Sequence, residues 1–163
     1  MRVERFPHGV ATEEGPRVVY DVGRDEAHFG AASVDGDAIV WEVDDPPAGD
    51  WLVRCDRVDF PAGGVAYRHT HPGPGIRVLL KGRIRIESAG ESHEYGPGEW
   101  WFESGPEPVY AAASETEETA FVRVMLVPQQ LAGRRTIRYV DPADADKPKL
   151  QRSTVFFDRP LAP

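Results

Sequence analysis

The chain is 163 residues long, which is enough for one domain with a buried core. Its formal net charge of −8 disfavours binding to the phosphates of nucleic acid or to an anionic membrane surface. The first residues are charged and no apolar run is long enough to span a bilayer, so we expect a cytoplasmic protein. Cys55 is the only cysteine, which excludes an intrachain disulfide framework.

The first fifty residues contain short extended segments, which are residues 17–22, 28–34 and 38–43. The pair Asp35-Gly36, between the last two, is a strong signal for a two-residue β-hairpin. A proline-bearing loop at 44–50 follows it. We expect these strands to pack on the remainder of one domain.

From Trp51 onward, the sequence predicts eight short strands separated by glycine- and proline-bearing turns. They are residues 51–60, 65–71, 76–80, 83–88, 91–95, 99–103, 108–113 and 119–127. This punctuation is typical of a sandwich or a jelly-roll barrel. Beyond residue 127 we expect a strand at 136–140, a charged loop, and an apolar segment at 154–157 that covers the barrel itself or reaches a second subunit.

His69 and His71 are the strongest candidates for a functional site. Side-chain direction in a strand repeats every second residue, so both imidazoles and the ring of Tyr67 are predicted on one face. Two imidazoles on one face can bind one metal ion or one ligand, and the spacing does not select the metal. An isolated pair of this kind is more often solvent-facing or hydrogen-bonded.

The segment 63–82 resembles the first signature of the cupin family, Gly-x5-His-x-His-x3-Glu-x6-Gly. The matching positions are Gly63, His69, His71 and Gly82. The resemblance covers residues 55–127 and implies an all-β double-stranded β-helix, the cupin jelly-roll barrel, with extra amino- and carboxy-terminal strands. The expected division is 1–50 for the first strands, 51–127 for the barrel and 128–163 for an extension in the same domain. The family also implies a homodimer.

The resemblance implies a divalent transition metal (Fe, Mn, Ni or Zn) held by His69 and His71. Gly75 occupies the position of the glutamate ligand, and in the second signature Val109 occupies that of the histidine, so neither supplies a third donor. Catalytic metal centres usually have three protein ligands. The substitutes considered, none supported by spacing, are Cys55, His93, Glu103, Glu107 and Tyr110.

Arg77 lies two residues beyond Gly75, on the same face in the cupin register. There it would point into the barrel and bind a carboxylate through paired hydrogen bonds. The apolar residues Ile76 and Val78 form the opposite face, and by pattern alone they would place Arg77 outside. The two interpretations agree only if another strand or subunit covers the outer face.

Trp100 and Phe102 share one face of a predicted strand and are candidates for the lining of an apolar ligand cavity. Filling of the core is the alternative for at least one of them. Trp101, on the opposite face, is expected at a sheet or subunit interface.

Three functions remain open at this point. The preferred one is binding of a small organic molecule, carboxylate-bearing, in the barrel, with or without a divalent metal. The second is a metal-dependent enzyme of oxygenase or isomerase type, whose catalytic residues the sequence does not assign. The third is a ligand-free oligomerisation domain. Under the first, the ligand-binding residues are Tyr67, Arg77, Trp100 and Phe102, with His69 and His71 as metal ligands.

Overall fold

The computed structural model describes residues 1–161 and is built almost entirely of β-strands. The strands are β1 (Arg2–Phe6), β2 (Val10–Thr12), β3 (Arg17–Asp21), β4 (Glu26–Phe29), β5 (Ala32–Val34), β6 (Ala38–Glu42), β7 (Trp51–Phe60), β8 (Val65–Thr70), β9 (Gly75–Lys81), β10 (Ile84–Ser88), β11 (Glu91–Tyr95), β12 (Trp100–Glu103), β13 (Val109–Ala113), β14 (Thr119–Pro128), β15 (Arg138–Tyr139) and β16 (Arg152–Pro160). Short 3₁₀ turns lie at Gln129–Leu131 and Pro142–Asp146. In this part of the chain no helix is long and apolar enough to cross a membrane.

Two five-stranded antiparallel sheets form the barrel. The first barrel sheet has the order β12-β9-β14-β7-β16, and the second has the order β11-β10-β13-β8-β15. From β7 to β10 every successive strand lies in the other sheet, and the same alternation returns from β11 to β14. This winding is a double-stranded β-helix, so the predicted all-β jelly-roll barrel is confirmed.

A third sheet, with the order β1-β6-β3-β4, covers the outer face of the first barrel sheet. The buried side chains of this interface are Val18, Tyr20, Ile39, Trp41, Val43, Val53, Cys55, Ile76, Val78, Val122, Val124 and Leu126. Burial of this much apolar surface is the main favourable contribution to folding at the interface. Cys55 lies inside it, and burial raises the pKa of its thiol well above the ordinary value, which makes it unreactive.

The hairpin predicted at Asp35-Gly36 is wrong. Strand β5 pairs with β2, whereas β6 pairs with β1 and β3. The turn therefore carries the chain from one layer to another. Val34 becomes buried against Val19 and Val40 of the third sheet, and this packing outweighs the local preference of the turn.

Strand β16 extends the first barrel sheet beside β7, with a register shift between Val155 and Phe157. The aromatic rings of Phe156 and Phe157 both pack towards the third sheet, with centroids 5.8 Å from Tyr20 and 6.2 Å from Phe29, respectively. The apolar segment predicted at 154–157 therefore covers the protein's own surface. The strand predicted at 136–140 is shorter, because only Arg138 and Tyr139 pair with β8.

Candidate functional site

A cavity of about 560 Å³ lies between the two barrel sheets. One layer of its wall consists of apolar side chains that are cross-strand neighbours. Val58 pairs with Phe121 in the first sheet, and Ala111 pairs with both Ala66 and Ile86 in the second. We call this layer, together with the adjoining Phe60, the apolar end. Its residues are Val58, Phe60, Ala66, Ile86, Ala111 and Phe121.

Charged side chains occupy the next positions along the same strands. Asp56 pairs across strands with Arg123, and Arg123 pairs with Arg77. Glu103 reaches the same region from β12. We call these residues, Asp56, Arg77, Glu103 and Arg123, the ionic layer.

The Arg123–Asp56 pair has two-pronged geometry. Arg123 Nε and Nη2 donate to Asp56 Oδ1 and Oδ2 at 2.9 and 2.6 Å. Ser153 Oγ donates to Asp56 Oδ2 at 2.8 Å. Both charges are buried, and this hydrogen bonding offsets part of the cost of removing them from water.

Arg77 has a less complete set of partners. Its side chain is 1% exposed, and Nη1 donates to the carbonyl oxygen of Gly75 at 2.8 Å. Nη2 lies 2.7 Å from Glu103 Oε2, but within the described residues this buried nitrogen makes no hydrogen bond, so its N–H groups do not point at the carboxylate. Burial lowers the pKa of Arg77 to about 10, which leaves the guanidinium charged at neutral pH.

The two histidines face the cavity with different hydrogen bonds. His69 Nδ1 donates to the carbonyl oxygen of Tyr67 at 2.6 Å, which leaves Nε2 as an acceptor. His71 Nε2 accepts from Arg123 Nη1 at 3.4 Å, and His71 Nδ1 lies 3.4 Å from Thr136 Oγ1. Burial lowers the pKa of His69, and burial followed by the charge of Arg123 lowers that of His71 well below the ordinary value. Both rings are therefore neutral at pH 7.

The donor set does not fit the metal that the resemblance implies. Val109 pairs directly with His69 and offers no ligand atom, while Arg123 takes the lone pair of His71 Nε2. The carboxylates of the ionic layer are each beside a guanidinium. Within residues 1–161, no group of three His, Cys, Asp or Glu side chains is arranged to hold a metal ion.

Gly75 lacks a side chain for a reason visible in the packing. A Cβ atom there would lie 2.6 Å from the carbonyl oxygen of Val124 and 2.7 Å from Cβ of Met125. The carboxylate in this part of the cavity comes instead from Glu103, which is the cross-strand partner of Gly75. That pairing register cannot be read from one sequence.

Tyr67 does not line the cavity, which corrects its predicted placement as a ligand-binding residue. The pairing of β8 with β13 contains a bulge: Val109 pairs with His69, whereas Ala111 pairs with Ala66. The extra residue in β8 puts Ala66 instead of Tyr67 on the inner face. The ring of Tyr67 instead lies under Lys147 Nζ, at 4.7 Å from its centroid.

Trp100 and Phe102 are also outside the cavity, with 54% and 55% of their surfaces exposed. They pair with Val78 and Ile76 and continue the outer face of the first barrel sheet. Trp101 lines the cavity instead, and its Nε1 donates to Glu103 Oε1 at 2.9 Å. The prediction had assigned the two faces of β12 the wrong way round.

Asp56 and Arg123 were missed by the sequence analysis. Arg123 is the one charged residue of the long apolar strand β14, which is a signal that the sequence does contain, whereas Asp56 lies among three other charged residues of β7. A charged residue in an apolar strand is rarely buried without a partner, so Arg123 could have been identified as one half of an ion pair. Their mutual pairing depends on the β7–β14 register.

The cavity wall is basic in a chain that is acidic as a whole. Among residues 1–161 the wall includes two carboxylates, from Asp56 and Glu103, against a net charge of −8 for the chain. Its seven basic residues are Arg54, Arg77, Arg123, Arg134, Arg135, Lys149 and Arg152. A wall of this sign favours an anionic ligand.

The sequence matches no protein-family model and no curated protein. Among solved structures it is similar to the polyketide cyclase RemF from Streptomyces resistomycificus, with 21% identity, a TM-score of 0.44, and 58% of this chain and 63% of that chain covered. It is similar to the DMSP lyase DddQ from Ruegeria pomeroyi, with 20% identity, a TM-score of 0.49, and 56% and 44% covered. It is also similar to a cupin-like protein from Thermotoga maritima, with 16% identity, a TM-score of 0.43, and 63% and 86% covered. The alignments span less than two thirds of the cyclase and of the lyase, and the likeness concerns the fold alone.

Proposed function

The chain has the cupin fold, and we propose that its barrel binds a small organic anion, with a carboxylate as the simplest example, without a metal ion. The observation that carries the proposal is Arg77, a buried guanidinium in the cavity wall that is ion-paired with Glu103 at 2.7 Å and whose Nη2 makes no well-aligned hydrogen bond within residues 1–161. A guanidinium has five N–H donors, and a ligand oxygen in the cavity would accept from those that Gly75 and Glu103 leave open.

The charges around Arg77 support an anion over a neutral ligand. Within the ionic layer the two arginines and two carboxylates balance, and Arg54 is paired with Asp158, so the excess positive charge of the wall comes from Arg134, Arg135, Lys149 and Arg152. A ligand carboxylate beside Arg77 would interact favourably with this excess while it accepts a hydrogen bond from the guanidinium. The rings of His69 and His71 are neutral and therefore do not repel a ligand carboxylate.

Isothermal titration with a panel of small carboxylates, on protein purified without a histidine tag, tests the proposal. We expect binding by wild type and a loss of about ten-fold or more in Arg77→Gln, because a charge-assisted hydrogen bond contributes about 1.5–3 kcal/mol. Arg77→Gln combined with Glu103→Gln avoids leaving a carboxylate buried without its partner. Arg83→Gln removes the same charge from an exposed position outside this cavity and serves as the control.

Elemental analysis of the same protein separates this proposal from the metal-dependent alternative. We expect far less than one Fe, Mn, Ni or Zn per chain, with carboxylate binding unaffected by chelator. Stoichiometric metal that disappears in His69→Ala and His71→Ala would overturn the metal-free proposal. Failure of every carboxylate to bind would favour the ligand-free oligomerisation domain.

A second candidate function is proton transfer to or from the bound molecule. The observation that favours it is His69, whose tautomer is fixed by Tyr67 and whose Nε2 lone pair remains available beside two guanidinium groups. Such a base can remove a proton next to a carbonyl group while a guanidinium stabilises the developing charge. Exchange of C–H for C–D in a bound carboxylate, followed by NMR in D₂O, should be lost in His69→Gln while binding persists.

A further inference from the structure

We infer that the ligand is an amphipathic acid, with a ring-sized apolar body at the apolar end of the cavity and one carboxylate at the ionic layer. The inference rests on the proposed function, because it assumes that an anion binds beside Arg77. The charges of the cavity wall define only the carboxylate of the ligand, whereas the apolar end indicates the chemical class of the remainder of the ligand.

The apolar end excludes polar ligand groups. It is formed by aliphatic and aromatic side chains, and no N–H, O–H or carboxylate group projects into it from the side chains that define it. A polar group placed there would lose its water and find no partner, whereas an apolar group would gain from burial. Ala66 and Ala111 are the smallest of these side chains.

The spacing of the two layers sets the length of the ligand. Phe121 and Arg123 are two residues apart on β14, and Val58 and Asp56 are two residues apart on β7. Strands rise about 3.3 Å per residue, so the layers are separated by roughly 7 Å. One six-membered ring joined to a carboxylate spans this distance.

The lining and the volume of the cavity also disfavour two other classes of ligand. A dicarboxylate of the same length would place its second charge among the aliphatic and phenyl side chains that define the apolar end, and these side chains have no hydrogen-bond donor. A very small acid such as acetate would leave most of the 560 Å³ cavity without contacts. The cavity is in the range of volumes that enclose small organic ligands, so a substituted ring also fits.

Isothermal titration with benzoate, cyclohexanecarboxylate, acetate, succinate and benzyl alcohol tests the inference. We expect the two ring acids to bind at least about ten-fold more tightly than acetate or succinate, because burial of the ring adds apolar contact area. Benzyl alcohol, which has a ring and no charge, should bind at least about ten-fold more weakly than benzoate because its hydroxyl group forms no charge-assisted hydrogen bond.

Two alanine substitutions on β13 localise the effect. Ala111→Leu fills the apolar end and should weaken benzoate at least about five-fold while acetate is unchanged. Ala112→Leu makes the same change at a neighbouring position that does not line the cavity, and it should leave both affinities unchanged. The ligand series in wild type provides the same comparison without any substitution, should Ala111→Leu fail to fold.

The outcomes separate the two proposals. Acetate that binds as tightly as benzoate, or benzoate binding that Ala111→Leu leaves intact, would overturn the inference and leave the proposed function standing. Absence of binding for every acid in the series would overturn both. Benzyl alcohol that matches benzoate would overturn the proposed anion site, and with it the amphipathic acid.

Discussion

The two faces of the first barrel sheet differ in what they are made of. The outer face is continuous apolar surface, with side chains such as Ile76 and Val124 packed against the third sheet. The inner face, on the same strands, carries the ionic layer. Residues one step apart, such as Ile76 and Arg77, therefore lie in opposite environments although both are buried.

The two faces therefore contribute differently, the outer face to the stability of the fold and the inner face to the proposed ligand binding. Burial of apolar surface stabilises the outer interface without any precise polar geometry. Charges on the inner face are costly to bury, and their pairing only partly offsets that cost. A protein that retains four charged groups inside its barrel gains little stability from them, which is consistent with a role in ligand binding.

The outer face should give the largest loss of stability when it is disrupted. Trp41 of β6 is fully buried in this interface, and Trp41→Ala should lower the free energy of unfolding by about 3–5 kcal/mol, because it removes a large apolar contact and leaves a cavity. Urea unfolding followed by circular dichroism measures the change. Leu150→Ala, at a position that is 58% exposed, is the control and should change stability by less than about 0.5 kcal/mol.

On the inner face, removing one charge of the Arg123–Asp56 pair should lower the free energy of unfolding more than removing both charges. Asp56→Ala leaves Arg123 buried without its carboxylate and should cost about 3 kcal/mol. Asp56→Leu combined with Arg123→Met removes both charges and should be close to wild type in stability. A double variant as unstable as the single one would show that the ion pair itself stabilises the barrel.

The strand pattern of the barrel could be predicted from the sequence, because turns and alternation are local properties. The strands expected at 51–60 and 91–95 occur with those bounds. The error at Asp35-Gly36 arose because a turn signal defines where the chain reverses, not which strand becomes the neighbour.

The site was less predictable because it depends on registers and on a covering layer. The inward direction of Arg77 follows from the third sheet, which buries the other face of β9 and thereby reconciles the two sequence-based interpretations. The placement of Tyr67 depends on one bulge. The direction of Trp101 depends on how β12 pairs with β9. None of these features has a local signal strong enough to identify it in a single sequence.

Acidification should lower the free energy of unfolding because two histidines of the barrel interior, His69 and His71, are buried as neutral rings. The pKa values of His69 and His71 are lower in the folded protein than in the unfolded chain, chiefly because of burial. As pH falls through the ordinary histidine pKa of about 6.5, the unfolded chain therefore binds protons first. The free energy of unfolding should decrease from pH 7.5 to pH 5.5 and recover when the pH is raised.

Urea unfolding at several pH values measures this dependence. His69→Gln and His71→Gln should each make the slope against pH shallower, since a group that cannot titrate contributes nothing to it. His8→Gln, at an exposed position, controls for the general effect of losing a histidine. Slopes that are identical in all variants would show that these rings do not set the acid stability.

The smallest effect on stability, and a distinct effect on assembly, is expected at Trp100 and Phe102. They lie on β12, an edge strand, where the third sheet no longer covers the outer face. Exposed aromatic side chains on a sheet edge are typical of an interface, so we propose that they contact a second copy in the predicted homodimer. Replacing both with serine should shift the mass measured by sedimentation from dimer to monomer. The free energy of unfolding of the monomer, measured at a protein concentration where the wild-type dimer is dissociated, should change little because neither side chain is buried within one chain. Leu150→Ser, at another exposed apolar position, should leave the mass unchanged. A wild-type protein that sediments as a monomer at every concentration would contradict the proposal. It would show that Trp100 and Phe102 are exposed to solvent and that the third sheet is the only layer that covers the outer face within residues 1–161.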